Sequence, residues 1–138
     1  MRSLKDIAEL ISEREIPGLL TQMFELDGPT LRQGFFNEGE LWDFKENLPP
    51  PGNDGRLGWA KIAADVLAFH NHLGGVLFFG IDDKTFRFVG ATGKLDTKRF
   101  NDQIRSYVGD KLWVTFSREF ITESQRFLGV AIIPPKVH

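Results

Sequence analysis

Residues 59–83 read WAKIAADVLAFHNHLGGVLFFGIDD, an order of residues that few folds accommodate. Trp59, Ile62, Ala63, Val66, Leu67, Phe69 and Leu73 recur close to the i, i+3, i+4, i+7 spacing of a core-facing helical stripe. Lys61 and Asp65 fall on the opposite face. Gly74 suits the left-handed residue that follows a helix C-terminus. The nearly unbroken apolar run 76–81 predicts a strand covered on both faces. Gly80 inside it predicts a bulge or the close approach of another backbone. Asp82 and Asp83 then leave the sheet at the strand's C-terminal end, a usual place for sites in α/β folds.

Such a unit needs a core, and 138 residues with 41% hydrophobic and 26% charged content supply one domain's worth. Cysteine is absent, which excludes disulfides and thiolate metal sites and fits a reducing, cytoplasmic setting. The opening MRSLKDIAELISER is charged and amphipathic rather than a signal peptide. No apolar run approaches the ~20 residues of a membrane span, so no membrane partner is expected. Charge is uneven: residues 1–44 carry four basic against nine acidic residues, whereas 45–138 carry thirteen against ten. The basic excess in the second part permits an anionic partner. On charge alone, a solvated mixed-charge surface is the stronger explanation.

Ser3 caps a predicted first helix carrying Leu4, Ile7, Ala8, Leu10 and Ile11. Pro17-Gly18 reads as its break, followed by a second short helix or irregular arm over 19–26. This acidic arm reads as packing or oligomer surface. Residues 41–45 alternate, putting Trp42 and Phe44 on one face and Asp43 and Lys45 together on the other. The proline-rich 49–55 run reads as a mobile loop. After the central helix and strand come a hairpin into a strand over 86–89 and a helix from Asp96 or Thr97 to Val108. Phe100, Ile104, Tyr107 and Val108 line that helix. A second hairpin pairs 113–121 with 126–133. The expected fold is α+β: a mixed β-sheet with two packed helices, in the order β-α-ββ-α-ββ, preceded by a short helical arm. We divide it as arm 1–35 and domain 36–138, expected to be a fragment of a longer protein.

The glycines at 74, 75 and 80 follow a helix, so they make no dinucleotide fingerprint, and neither a P-loop nor a GxSxG elbow occurs. His70 and His72, two apart, point in different directions on a helix and suit capping rather than a shared metal. Glu38, Asp43 and Asp82 come from a loop, a strand face and a strand end. Three oxygen donors of this kind suit Mg2+ or Mn2+ if they converge, and are solvated carboxylates if they do not.

Two stretches carry a resemblance: Glu38-Gly39-Glu40-Leu41-Trp42-Asp43-Phe44-Lys45 and the run from Ala68 through His70-Asn71-His72-Leu73-Gly74-Gly75 to Gly80-Ile81-Asp82. Together they resemble the Schlafen-type AlbA-like domain over roughly residues 36–133. That family, which includes bacterial helicase-related and transcriptional-regulator proteins, implies an α+β nucleic-acid-binding module for DNA or RNA. Some members are endoribonucleases with three carboxylates, which would fall on Glu38, Asp43 and Asp82, the family's lysine on Lys45. The family usually carries Glu where this chain has Asp43, and the zinc-binding Cys/His set of animal members is missing. The first expectation is therefore a nucleic-acid-binding domain of a regulatory or genome-maintenance protein. Lys45, Lys61, Lys84, Arg87, Lys98, Arg99 and Arg105 would contact phosphates. The alternatives are a metal-dependent endoribonuclease and a protein-interaction module, with a homodimer among the expected assemblies.

Overall fold

A computed structural model of the chain describes residues 4–36 and 39–136. Its elements run α1 (Leu4–Ser12), α2 (Ile16–Met23), β1 (Phe24–Glu25), β2 (Thr30–Leu31), β3 (Trp42–Lys45), α3 (Arg56–His70), β4 (Gly75–Phe79), α4 (Thr97–Val108), β5 (Thr115–Glu119) and β6 (Leu128–Ile133). This is the expected α+β class. The main sheet has the order β3-β4-β6-β5, and β1 with β2 forms a small separate hairpin. β3 and β4 are parallel, with Trp42 opposite Val76 and Lys45 opposite Phe79, and α3 makes the crossover between them. β6 lies antiparallel to both β4 and β5.

Every residue of β4 and β6 is buried, because the sheet is covered on both faces. On one face α3 and α4 contribute Trp59, Ile62, Val66, Phe100 and Ile104 against Leu77, Phe79 and Phe116. Phe100 is central there, stacked on Phe116 at 4.9 Å and edge-on to Trp59 at 5.4 Å. On the other face the arm brings Ile7, Ile11, Leu19, Met23 and Phe24 against Val76, Phe78, Leu128, Val130 and Ile132. Full burial of side chains of this size contributes about 1.5–3 kcal/mol each. The arm is thus the second wall of the core.

Gly80 ends β4 in a bulge. Lys45 O accepts from both Gly80 N at 2.8 Å and Ile81 N at 3.1 Å, and Gly80 has φ +102°. One extra residue reverses the alternation of faces. Leu77 and Phe79 face the helices, yet Ile81 joins Val76 and Phe78 on the arm side. A Cβ on Gly80 would lie 2.8 Å from Ala91 N and 2.9 Å from Phe127 O, so the close backbone approach is present as well. Gly74, at φ +79°, donates its N–H to Phe69 O at 2.8 Å and turns the chain from α3 into β4.

α4 also closes an edge of the sheet. One turn apart, Thr97 and Asn101 meet the outer side of β5: Thr97 Oγ1 donates to Phe116 O and accepts from Phe116 N. Asn101 does the same for Val114, as though the helix supplied a fifth strand. Edge groups left bare would recruit another chain.

Four expectations are corrected. Pro17 opens α2 within its first turn, where a missing N–H costs nothing, and the Glu15 side chain caps the helix at Gly18 N. The 86–89 strand reduces to isolated bridges, Ile81 with Phe88 and Thr30 with Arg87, because Asp82 and the following turn tie the segment locally. Leu73 lies beyond the end of α3 and Tyr107 turns outward, and both are exposed. The proline-rich loop is pinned: Trp59 Nε1 donates to Pro50 O at 2.9 Å and Gly52 N to Gln103 Oε1 at 3.1 Å. Among the described residues no helix is long and apolar enough to cross a membrane.

Candidate nucleic-acid interface and the carboxylate positions

Asp43 and Lys45 share the helix-side face of the edge strand β3, as the alternation predicts. Lys45 Nζ lies 3.3 Å from Asp43 Oδ2 and 2.7 Å from Asp65 Oδ2 on α3. Burial alone would lower the Lys45 pKa. The hydrogen bond to Asp65 and the charge of Asp43 outweigh it, and the pKa is raised above the ordinary 10.5. The ammonium is bracketed by two carboxylates. Asp65 is the member of this cluster that sequence reasoning missed. Its helical phase assigned it to the outward face, and only the β3–α3 packing shows that Lys45 reaches it.

Asp82 is committed differently. Its Oδ1 accepts from Lys84 N at 2.8 Å and Thr85 N at 3.0 Å, forming a turn just after the bulge. The Thr85 and Lys84 backbone N–H groups hold its carboxyl below the ordinary 3.8. Asp43 likewise spends Oδ1 on Phe44 N at 2.8 Å and Oδ2 on Lys45. Glu38 lies outside the described residues. Among those described, no three His, Asp or Glu side chains are grouped so as to hold a metal ion. Of the candidate carboxylates that are described, Asp43 holds Lys45 together with Asp65, and Asp82 accepts from the backbone of the turn that follows it.

The seven cations of the sequence analysis separate into two sorts. Lys45 is neutralised as described. Lys98 and Arg105 both close on Asp102 at 2.9 Å, and Arg105 also reaches Asp110 at 3.5 Å. The Lys98 hydrogen bond, with both cations' charges, lowers the Asp102 pKa. Lys61, Arg87 and Arg99 are exposed and make no ion pair among the described residues, while the charge of exposed Lys84 acts on Asp82. Further cations sit near Arg99. Lys94 and Arg99 line a groove of about 580 Å3 between the Pro49-Pro50-Pro51 loop and the segment preceding α4. Arg118 and Arg126 anchor their guanidinium groups on the Gly93 and Gly90 carbonyls, at 3.2 and 3.4 Å. Neither was singled out from sequence, because both sit in a predicted hairpin where alternation gives no cue to function.

With a mixed four-stranded sheet between a helical arm and two helices, the chain is an α+β domain that presents cations around the α4 N-terminus. Residues 38–138 match the family described as Schlafen, AlbA_2, and the chain belongs to that family. No curated protein matches it. Among solved structures, the chain is similar to the DIP2311 protein from Corynebacterium diphtheriae, with 18% identity and a TM-score of 0.59. The similarity covers 94% of this chain and 26% of that one, and at this identity it speaks for the fold alone.

Proposed function

We propose that this domain is a nucleic-acid-binding module, engaging the sugar–phosphate backbone of DNA or RNA within a regulatory or genome-maintenance protein. The observation that carries the reading is the group of cations around the 92–99 segment that make no ion pair among the described residues: Lys94, Arg99, Arg118 and Arg126. Ion-paired cations such as Lys45 and Arg105 offer little to a phosphate, because breaking an existing pair offsets the new contact. Unpaired guanidinium groups fixed on backbone carbonyls are ready to receive one. Membership of the Schlafen, AlbA_2 family supports a nucleic-acid role in the same direction.

The test is binding of labelled DNA and RNA across a salt series. Log affinity is expected to fall linearly with log salt, with a slope of about −0.7 to −0.9 per phosphate neutralised. Failure to bind any nucleic acid at low salt would overturn the reading and favour a protein-interaction module.

A further inference from the structure

Two of the largest exposed apolar side chains flank β5. Trp113 is 44% and Phe120 55% exposed, although both fall inside what the sequence reads as a strand pair. They open into one depression of about 620 Å3, floored by Phe116 and walled by the segment that leads into α4. A second depression, of about 630 Å3, adjoins it and shares Arg118 and Phe120. Trp113 and Phe120 stand seven positions apart on either side of β5, a span of up to about 23 Å at full extension.

The charge of this surface is the opposite of the molecule's. Lys94, Lys98, Arg118 and Arg126 line the two depressions, Lys98 held by Asp102, with Asp96 in the lining and Glu119 reaching Ser117 there, while the chain as a whole carries −2. Asp96 is itself committed, its Oδ1 accepting from Arg99 N at the start of α4. Arg118 is held in place: it rests on Phe120 and Phe127, 5.9 and 5.8 Å from their ring centroids, and donates to Gly93 O. The surface therefore offers the Trp113 ring at one end, the Phe120 ring where the two depressions meet, and Arg118 and Arg126 anchored on backbone carbonyls alongside.

We infer that this surface is a binding track for an unpaired nucleic-acid strand, with bases stacked on Trp113 and Phe120 and phosphates on Arg118, Arg126 and Lys94. The inference rests on the nucleic-acid reading above and narrows it to a substrate class. A duplex keeps its base faces stacked and hidden, so it would leave both rings without a partner. A single strand offers base faces and phosphates in alternation, and base–aromatic stacking tolerates any sequence. A span of up to ~23 Å suits on the order of four nucleotides, the short end of site sizes for aromatic-lined single-strand grooves. An acidic peptide would satisfy the cations but would leave the rings without bases to stack on.

The experiment compares a 12-nucleotide oligo(dT), the matching oligo(U), a 12-base-pair DNA duplex and poly-glutamate, using the full chain. Trp42 and Trp59 are buried, so quenching of tryptophan fluorescence on binding reports Trp113. Both single strands are expected to quench it, and the duplex and poly-glutamate are not. Trp113→Leu and Phe120→Leu are each expected to weaken single-strand binding by about 5- to 100-fold while leaving duplex binding unchanged. Both sites are surface positions, so an unchanged melting temperature confirms that the variants fold. Duplex binding equal to single-strand binding, with both variants silent, would overturn the track and leave the nucleic-acid reading intact. Displacement by poly-glutamate as efficient as by oligo(dT) would reduce the surface to a polyanion contact and also overturn it. Absence of binding to every nucleic acid would defeat the broader reading itself.

Discussion

Asn101 on α4 hydrogen-bonds both backbone groups of Val114, its Nδ2 donating to the carbonyl and its Oδ1 accepting from the N–H, at 2.8 and 2.9 Å. The same Nδ2 also donates to Thr97 O at 2.8 Å. Asn101 is buried, 3% exposed, and its amide substitutes for a neighbouring strand. Asn101→Ala would strand a buried N–H and a buried carbonyl, at about 1–3 kcal/mol each. The expected outcome is a fall of roughly 2–4 kcal/mol in unfolding free energy, read from urea denaturation.

Gly80→Ala tests the bulge. The substitution places a methyl against Ala91 N and Phe127 O while holding φ at +102°. Strain at such a position costs on the order of 1–3 kcal/mol before any clash is counted. A denaturation midpoint unchanged from the parent would contradict the bulge geometry.

Lys45 couples β3 to α3 through Asp65. The two side chains are 30% and 35% exposed, so solvent screens the pair. A double-mutant cycle with Lys45→Met and Asp65→Asn is expected to give a coupling of about 0.2–1 kcal/mol. The coupling should shrink in high salt.

Acid should loosen the fold through Asp82 and Asp102. Backbone N–H groups of Thr85 and Lys84 lower the pKa of the first, and the Lys98 ammonium that of the second, from the ordinary 3.8. The ionised form therefore belongs to the folded state. Its contribution is whole above about pH 3.8 and is lost as pH falls through the lower folded values. Melting temperature between pH 6 and 2.5 should decline less steeply for Asp82→Asn with Asp102→Asn than for the parent.

Arg99→Ala and Lys98→Ala should differ, although they are neighbours on one helix. Arg99 makes no ion pair among the described residues, whereas Lys98 is held by Asp102. Arg99→Ala is expected to weaken binding across all sequences and reduce the salt slope by about 1, with a smaller effect from Lys98→Ala. Anisotropy titrations at four salt concentrations would separate the two.

Where one periodicity governs a segment, the sequence was readable. Phe100 and Ile104 marked the buried side of α4, Asp96 or Thr97 its start, where the structure has Asp96 as the cap, and the double glycine the turn into β4. Legibility failed where a partner from elsewhere in the chain decides. Helical phase put Asp65 in solvent, but Lys45 lies across the β3–α3 contact. Asn101 looked like one more polar helical residue, because nothing local says that a strand edge will pass it. Trp113 and Phe120 fell inside the predicted strand 113–121, and aromatic content cannot distinguish a buried ring from one left open at the end of a strand. The candidate triad was legible as residue types only. Where Asp82 sits depended on the bulge at Gly80, after which it accepts from the backbone of its own turn.

The arm's packing has a consequence for how the chain acquires its structure. Ile7 and Ile11 are synthesised well before the Leu128, Val130 and Ile132 strand that shares their apolar cluster. Contacts of such long sequence separation form slowly, and domains emerge N-terminus first. The arm must therefore wait with its apolar side uncovered until β6 has paired between β4 and β5. Removal of α1 and α2 or of β6 should then produce one phenotype, aggregation during synthesis, since each removes one side of the same layer.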